Sequence, residues 1–470
     1  MIKFTKKYKH ELGLGIFALT YFIYFTTASF LRYTNYYTGR FDLGNMAQTV
    51  WNTIHGNFFI MTNPNGTEEV SRLAFHADFI LILLAPFYLI WEDPRMLLLI
   101  QTFVLTFGGI FVYLIAKHVL KNKALALTFA ICFYLNPALN YTNLYDFHAV
   151  TLATTFLLGA FYFILTKKWS RAVLFLFLAG ITKEQVWAIN VLIGIYIFFI
   201  GKQKTLGASV AILSGLIFYV LFWIVIPESA GSEHFALEFY SDYGDKPAEV
   251  IKNIILNPVD AVQTLLLPDR LSYIKQLFMP LGYLSIIAFP FLIFAAPDLV
   301  INILSNFAPM HEIYYQYSST ITPFIFLSAI YAAYFILKKF PEVPYEAIIS
   351  FLLILTFISS YNYGPLPYAQ KPNNAMFKKP LIIKNSVNNY INSISDDFII
   401  SASNNLGSHL SHRRQIFVLP LGIEKSDLVM FLLRNPNENE KKAFEDIQNN
   451  PNFGLEFREE NFYVFKRISP

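Results

Sequence analysis

Charge is scarce in this chain. Lys, Arg, Asp and Glu together make up 14% of the 470 residues, against roughly a quarter in an ordinary soluble protein. Cysteine is almost missing: Cys132 is the one residue of its type and sits in an apolar run. An intramolecular disulfide is therefore excluded, and any domain outside the cell must fold without one. The net charge of +4 gives no basic surface of the kind that binds nucleic acid. No Walker loop and no zinc-finger spacing occur. The basic start (Lys3, Lys6, Lys7, Lys9) leads into an apolar run too long for a signal peptide, with no small-residue cleavage site after it. That run is expected to stay as an anchor. The single Asn65-Gly66-Thr67 sequon carries little weight in one sequence.

Apolar residues are abundant. They reach 55%, with 48 Phe and 29 Tyr, a composition suited to lipid-facing helices and interfacial belts. A spanning helix needs roughly 20 apolar residues. Residues 12–31, 97–116, 124–141, 149–166, 206–226, 277–296 and 320–337 meet that need, and 347–361 is short but workable. Residues 172–181 and 186–200 flank Lys183 and Glu184 and read as two short helices meeting at the outer boundary. Residues 299–307 read as a half-helix. The basic clusters set the orientation. They lie at the N-terminus, at Lys117 to Lys123, at Lys167 to Arg171, at Lys202 and Lys204, and at Lys338 and Lys339. Placing all of them inside lets the helices alternate, provided residues 79–91 form a re-entrant or interfacial helix on the outer side. The expectation is an all-α polytopic domain of about eleven spans over residues 1–361. It is a multi-pass protein of the cell membrane, with its N-terminus cytoplasmic and its C-terminus extracytoplasmic.

Three outer regions follow from this topology: loops 32–96 and 227–276, and everything after residue 361. The last opens with a Pro/Asn-rich linker, 361–374, into about 100 residues of lower hydrophobicity, a normal domain size. Residues 398–401, 415–419, 428–433 and 462–465 have strand character, and 441–448 have helical character. A small extracytoplasmic α/β domain over 362–470 is expected.

The residues with chemical potential gather at the outer boundary. Asp42 precedes an apolar stripe (Leu43, Met46, Ala47, Val50, Trp51, Ile54) at helical spacing, which predicts an amphipathic helix lying on the membrane surface. Asp42 is either the N-cap of that helix or a general base just outside the first span. His76-Ala77-Asp78 and Tyr145-Asp146-Phe147-His148 each place a carboxylate and an imidazole two residues apart. Such oxygen and nitrogen donors suit Mg, Mn or Zn, so His76, Asp78 and His148 are candidate metal ligands; helix caps or solvated ends are the plain alternative. Lys183 and Glu184 carry charge at a depth where charge is costly. They form an ion pair with each other or a neighbour, or Lys183 meets an anionic phosphate. His311, Tyr314, Tyr315 and Tyr317 offer several donors to a phosphate or sugar, although Tyr also serves as a simple interfacial anchor. Asp298, near an inner turn, reads as a cap.

In their wording, FDLGNMAQ, HADF, YDFHAVTL, ITKEQ and PDLVINILSN…YYQYSSTITPF, spread over most of residues 39–337, resemble a bacterial and archaeal membrane family, domain of unknown function twenty-seventy-nine. An acid after the first span, a long outer loop, an acid after the third span, a lysine near paired short helices and an outer soluble tail together look like the GT-C superfamily of membrane glycosyltransferases. That resemblance implies transfer of a sugar from a polyprenyl-phosphate donor, a membrane lipid, to a glycan, lipid or protein acceptor on the outer face, often with a divalent metal. It implies that Asp42 orients or deprotonates the acceptor, that Asp146 is the second-loop acid near the metal or acceptor, and that Lys183 meets the donor phosphate. The paired prolines that many such enzymes carry in the first loop are absent, and His76-Ala77-Asp78 occupies that region. Two other classes stay open. A transporter or flippase would place polar residues at mid-membrane depth in repeated broken helices, whereas the charges here sit at the boundary. A non-catalytic envelope assembly protein would use its C-terminal domain for a partner.

Overall fold

The computed structural model describes residues 2–232 and 235–468. Four of its helices are long and apolar enough to cross a membrane: Lys7–Thr34, Arg95–Leu120, Lys204–Ala230 and Tyr345–Tyr363. A fifth crossing is available if the pair Lys123–Tyr134 and Pro137–Tyr145, bent by 44°, counts as one span. The bend has a local cause. Pro137 cannot continue the preceding ladder, and the Asn136 side chain caps the new helix by accepting from the Leu139 N–H.

Length and composition thus give fewer clear crossings than the sequence suggests. Three apolar helices, Ala149–Leu165, Trp169–Gly180 and Val186–Phe199, fall short of a full span. The span expected over residues 277–296 is not a continuous helix. It breaks into short turns between the helices Pro268–Phe278 and Ala296–Leu304. Pro280 and Pro290 interrupt it, and Gly282 takes a left-handed φ of 59°, which ends a helix. The short helix Val186–Phe199 packs closely on the long helix Lys204–Ala230. A Cβ on Gly194 would lie 2.5 Å from the Ala211 nitrogen, and one on Gly207 would lie 2.4 Å from the Phe198 nitrogen. Small residues at this crossing let the two backbones touch. Thr322–Lys339 runs through the middle of the bundle, buried from Thr322 to Ile330.

The first loop is folded, not laid out on a surface. Asn45–Ile54 buries nearly its whole length, its polar Asn45, Gln48, Thr49 and Asn52 included. It packs against Ile80–Tyr88, the apolar helix expected to be re-entrant or interfacial, in one shared core. A hairpin of β1 (Ile60–Thr62) and β2 (Glu69–Ser71) covers its polar side. The expected membrane-surface helix is therefore an interior one. Its polar residues are satisfied by protein: Gln48, for example, bonds Thr62 and the Arg413 and Arg414 carbonyls.

Near the C-terminus a five-stranded sheet forms in the order β4-β3-β5-β7-β6. Its strands are β3 (Ile400–Ala402), β4 (Ile416–Val418), β5 (Leu428–Leu432), β6 (Phe453–Glu459) and β7 (Phe462–Arg467). β3 runs parallel to β4 and β5, while β7 is antiparallel to β5 and β6. The helix Glu438–Gln448 starts at Asn437, whose side chain accepts from the Glu440 N–H. β6 is the strand with no sequence signal: it is an edge strand with a bulge, and Leu455 is exposed. This sheet and the end of the first helix share a core. Tyr36 packs among Leu406, Leu410 and Met430, and His409 stacks between Tyr33 and Tyr36 with ring centroids 3.9 Å away on each side.

Candidate functional site

The first long helix ends where Tyr36 adopts a left-handed φ of 59°. The chain then makes a single π-helical turn, Arg40–Gly44, before entering Asn45–Ile54. Asp42 sits on that turn. Its carboxylate caps no helix. Oδ2 accepts from the Tyr145 hydroxyl at 2.8 Å, and Oδ1 meets Nε2 of His148 at 3.0 Å. The side chain remains 26% exposed, while the His148 side chain is only 5% exposed. Burial opposes ionisation of Asp42, but the bonds from His148 and Tyr145 outweigh it and hold the carboxyl below the ordinary range. This is the usual effect of hydrogen bonds made to the charged form.

Asp146 lies between those two partners in sequence and points the other way. Its Oδ2 accepts from the Gly39 N–H at 3.1 Å, and its Oδ1 is 3.7 Å from Arg32 Nη2. The side chain is 4% exposed. Burial, reinforced by the Asp42 charge and opposed by the Arg32 guanidinium, pushes its carboxyl well above the ordinary range. Gln101 fixes the turn by donating to the Asp146 carbonyl and accepting from the His148 N–H. Asp42 and Asp146 therefore belong to one assembly, the first on its open side and the second beneath it.

A tyrosine wall borders Asp42. The Tyr145 ring stacks on His148 and meets Tyr314 and Tyr315 edge-on at 5.3 and 4.9 Å. Tyr315 is held by its backbone, whose carbonyl accepts from Thr142. Tyr317 lies in the same loop, half-buried, close enough for the Asp42 charge to act on its hydroxyl.

The turn 182–185 is tied to the first loop through Glu184 and to Thr320 through Asp298. Lys183 is half-exposed and, among the described residues, has no carboxylate within ion-pair distance. Glu184 is buried and committed: one oxygen bonds His76 Nδ1 and the other the Ala77 N–H, both at 3.0 Å. Burial, then the Lys183 ammonium, pushes His76 down to about 4. Gln185 donates to Asp298, which also accepts from Thr320. Asp298 is thus the buried link between this turn and the tyrosine loop; its carboxylate bonds these two side chains instead of capping its helix.

The geometry separates several residues that the sequence grouped. Asp78 is locked by Arg72 in a bidentate pair, with Nε at 3.0 Å and Nη2 at 2.7 Å, and both side chains are buried. His76 belongs to Glu184 and His148 to Asp42. Among the described residues no three His, Cys, Asp or Glu side chains form a metal-ligand group. His76, Asp78 and His148 therefore do not fit one shared divalent ion, because each already has its own partner. His311 is buried against Asp269 at 3.2 Å, and Arg270 flanks the same carboxylate. Sequence reasoning missed Arg32, Gln101 and Tyr145. Arg32 read as the first residue of an outer loop and Gln101 as part of an apolar span, while Tyr145 stood in its motif without a role of its own.

Residues 32–456 match the family described as a predicted membrane protein, DUF2079. The chain belongs to this family. The match takes in both the helical bundle and most of the C-terminal sheet. No curated protein sequence matches. Among solved structures, the chain is similar to ArnT from Cupriavidus metallidurans bound to undecaprenyl phosphate, with a TM-score of 0.55 at 7% identity, covering 95% of this chain and 97% of that one. Also similar is the archaeal oligosaccharyltransferase AglB from Archaeoglobus fulgidus in complex with an inhibitory peptide and a dolichol-phosphate, with a TM-score of 0.43 at 12% identity, covering 91% of this chain and 70% of that one. At such identity the likeness to ArnT shows the fold alone: the two chains share one overall architecture over nearly their whole lengths.

Proposed function

We propose that this protein is a membrane glycosyltransferase that moves a sugar from a polyprenyl-phosphate donor to an acceptor hydroxyl at the outer face of the membrane. In this reading the Asp42 turn and the C-terminal sheet face outward and the basic helix ends face the cytoplasm. One observation carries the reading: a part-exposed carboxylate, Asp42, is held ionised by His148 and Tyr145 beside a tyrosine wall, on a fold that ArnT shares.

The chemistry is a displacement at the anomeric carbon. Asp42 takes the proton of the acceptor hydroxyl as its oxygen attacks. The new carbon–oxygen bond forms while the bond to the phosphate oxygen breaks, and the lipid phosphate leaves with the electron pair. Lys183, which has no ion-pair partner among the described residues, neutralises the charge gathering there. Tyr315 and Tyr317 supply hydroxyl donors to sugar or phosphate. His148, with its proton on Nε2, keeps Asp42 oriented. Asp146 acts through position, because it is buried under the turn and does not reach open space. No step is routed through a divalent ion, since the candidate ligands do not converge.

The test is transfer of labelled sugar from polyprenyl-phosphate donors by purified protein in lipid. Asp42→Asn keeps the shape and removes the proton acceptor, so turnover should fall about a hundred- to ten-thousand-fold while donor binding persists. Wild-type turnover in that variant, with a donor the wild type uses, sinks the proposal.

A further inference from the structure

The turn that carries Asp42 is gripped on its far side by a short stretch of the C-terminal part, residues 404–408. The Asn404 side-chain oxygen accepts from the Arg40 N–H at 2.8 Å. Gly39 lies against the same side chain, so closely that a Cβ there would sit 2.9 Å from Asn404 Nδ2. The Thr38 and Ser408 hydroxyls bond at 2.7 Å in a buried site. Gly407 rests on Arg40: a Cβ on Gly407 would lie 2.2 Å from the Arg40 Cβ and 2.8 Å from its Cα. A Cβ on Gly44 would in turn lie 3.1 Å from the Gly407 carbonyl oxygen. Contacts therefore fall on both sides of Asp42, at positions 38, 39, 40 and 44.

From beneath, Asp146 takes the Gly39 N–H. The Arg40 side chain is wholly buried and anchors inward to Asn45, Gln48 and the Thr62 carbonyl. A π turn has poorer local support than an α-helix and persists where its surroundings hold it. Here the outer support comes from a segment about 360 residues away in sequence, as the separation of Arg40 and Asn404 shows.

We infer that Asn404 and Gly407 are positioning residues for Asp42: the C-terminal part completes the site by setting the register of the π turn, instead of serving only to bind a partner. Asn404 fixes the turn by one hydrogen bond, and Gly407 by a close approach that a side chain would block. The geometric claim stands apart from the glycosyltransfer reading; the kinetic consequence rests on it.

The test reads the turn directly. Phe41 is exposed next to Asp42, and Phe58 is exposed in the same loop away from the grip. A spin label is attached to Phe41→Cys or Phe58→Cys in the full chain in nanodiscs. Cys132, fully buried, is replaced by Ala in this background. Asn404→Ala and Gly407→Val should each cause loss of the immobilised spectral component at position 41 and leave position 58 unchanged. Asn404→Asp keeps an acceptor for the Arg40 N–H and should restore the immobilised component. An unchanged spectrum at 41 overturns the inference, and so does equal loosening at 41 and 58, which marks general destabilisation. With an active donor, Asn404→Ala should lower kcat about a hundredfold at an unchanged donor KM, the scale expected for a small misplacement of a reacting group. If the spectra change as expected and Asp42→Asn is fully active, the positioning stands and the catalytic reading falls.

Discussion

Tyr145 and His148 hold the two oxygens of Asp42 separately, the hydroxyl at 2.8 Å on Oδ2 and the imidazole at 3.0 Å on Oδ1. The rings of these two partners are themselves stacked, 5.3 Å apart and within 10° of parallel. Asp42 thus faces a rigid aromatic unit, so its ionisation can be tuned by one atom without moving the ring.

Tyr145→Phe removes that atom and keeps the stack. A hydrogen bond to a charged group contributes about 1.5–3 kcal/mol, so without it the Asp42 carboxyl should rise toward the ordinary range. The acid limb of kcat/KM against pH should move up by the same amount, because the base must be ionised to work. An acid limb that stays in place shows that Asp42 does not set it.

Asp146 gives the opposite sign. Its carboxyl is raised in the folded protein, chiefly by burial. The stability linked to it is present below the unfolded value and lost as pH rises through the folded one. Asp146→Asn cannot ionise and can still accept from the Gly39 N–H. Measured from about pH 5 to pH 9, the melting temperature of Asp146→Asn should gain on the wild type as pH rises. A constant difference across that range means that Asp146 does not titrate as its burial requires.

The Arg72–Asp78 pair separates packing from metal binding. Both side chains are buried and joined bidentately. Removing one partner of such a pair costs about 3–5 kcal/mol. Asp78→Ala should therefore lower thermal stability by an amount that neither chelator nor added Mg, Mn or Zn alters. If chelation of the wild type reproduces the loss, Asp78 holds a metal after all.

How much of this could be read beforehand depended on range. Short-range signals were legible: the apolar runs, the paired short helices around Lys183 and four strands of the C-terminal sheet. Long-range pairing was not. The period of residues 43–54 is that of an amphipathic helix, but nothing local states that its polar side meets Arg413 and Arg414 instead of water. The motifs His76-Ala77-Asp78 and Tyr145-Asp146-Phe147-His148 look like ligand pairs because neighbours in sequence are easy to group. In the fold, their members turn to different partners: His76 to Glu184, Asp78 to Arg72, His148 to Asp42 and Asp146 to the Gly39 N–H. The expected span over residues 277–296 is broken for a different reason: apolar composition persists through Pro280, Gly282 and Pro290, where the backbone does not remain helical.

Orientation is a separate expectation resting on the basic clusters. Ser170 is exposed at the start of Trp169–Gly180, and Asn439 is exposed on the C-terminal helix. Cysteines at the two positions, in the Cys132→Ala background, should react with an impermeant thiol reagent from opposite sides, Asn439→Cys from outside. Reaction of both from one side overturns the topology.

Lys183 offers a test that needs no sugar. Its ammonium has no ion-pair partner among the described residues, and it acts on the buried His76 by repulsion. It also favours the ionised form of the buried Asp298; a cation at such a depth is costly unless it meets a partner, and an anionic ligand would be one. Replacing Lys183 by Met keeps the long apolar stem and deletes the charge. Lys183→Met should hold or slightly raise the melting temperature of the free protein. A ligand that binds the folded state stabilises it by mass action, about 2.7 kcal/mol at a hundred times its Kd. Polyprenyl phosphate should therefore raise the melting temperature of the wild type, and the rise should shrink with added salt as the charges are screened. In Lys183→Met the rise should be largely lost, whereas in Asp42→Asn it should persist, because Asp42 acts on the acceptor and not on the phosphate. An equal rise in wild type and Lys183→Met removes Lys183 from the donor site. Loss of the rise in Asp42→Asn alone would reverse the two assignments, placing the phosphate at the π turn.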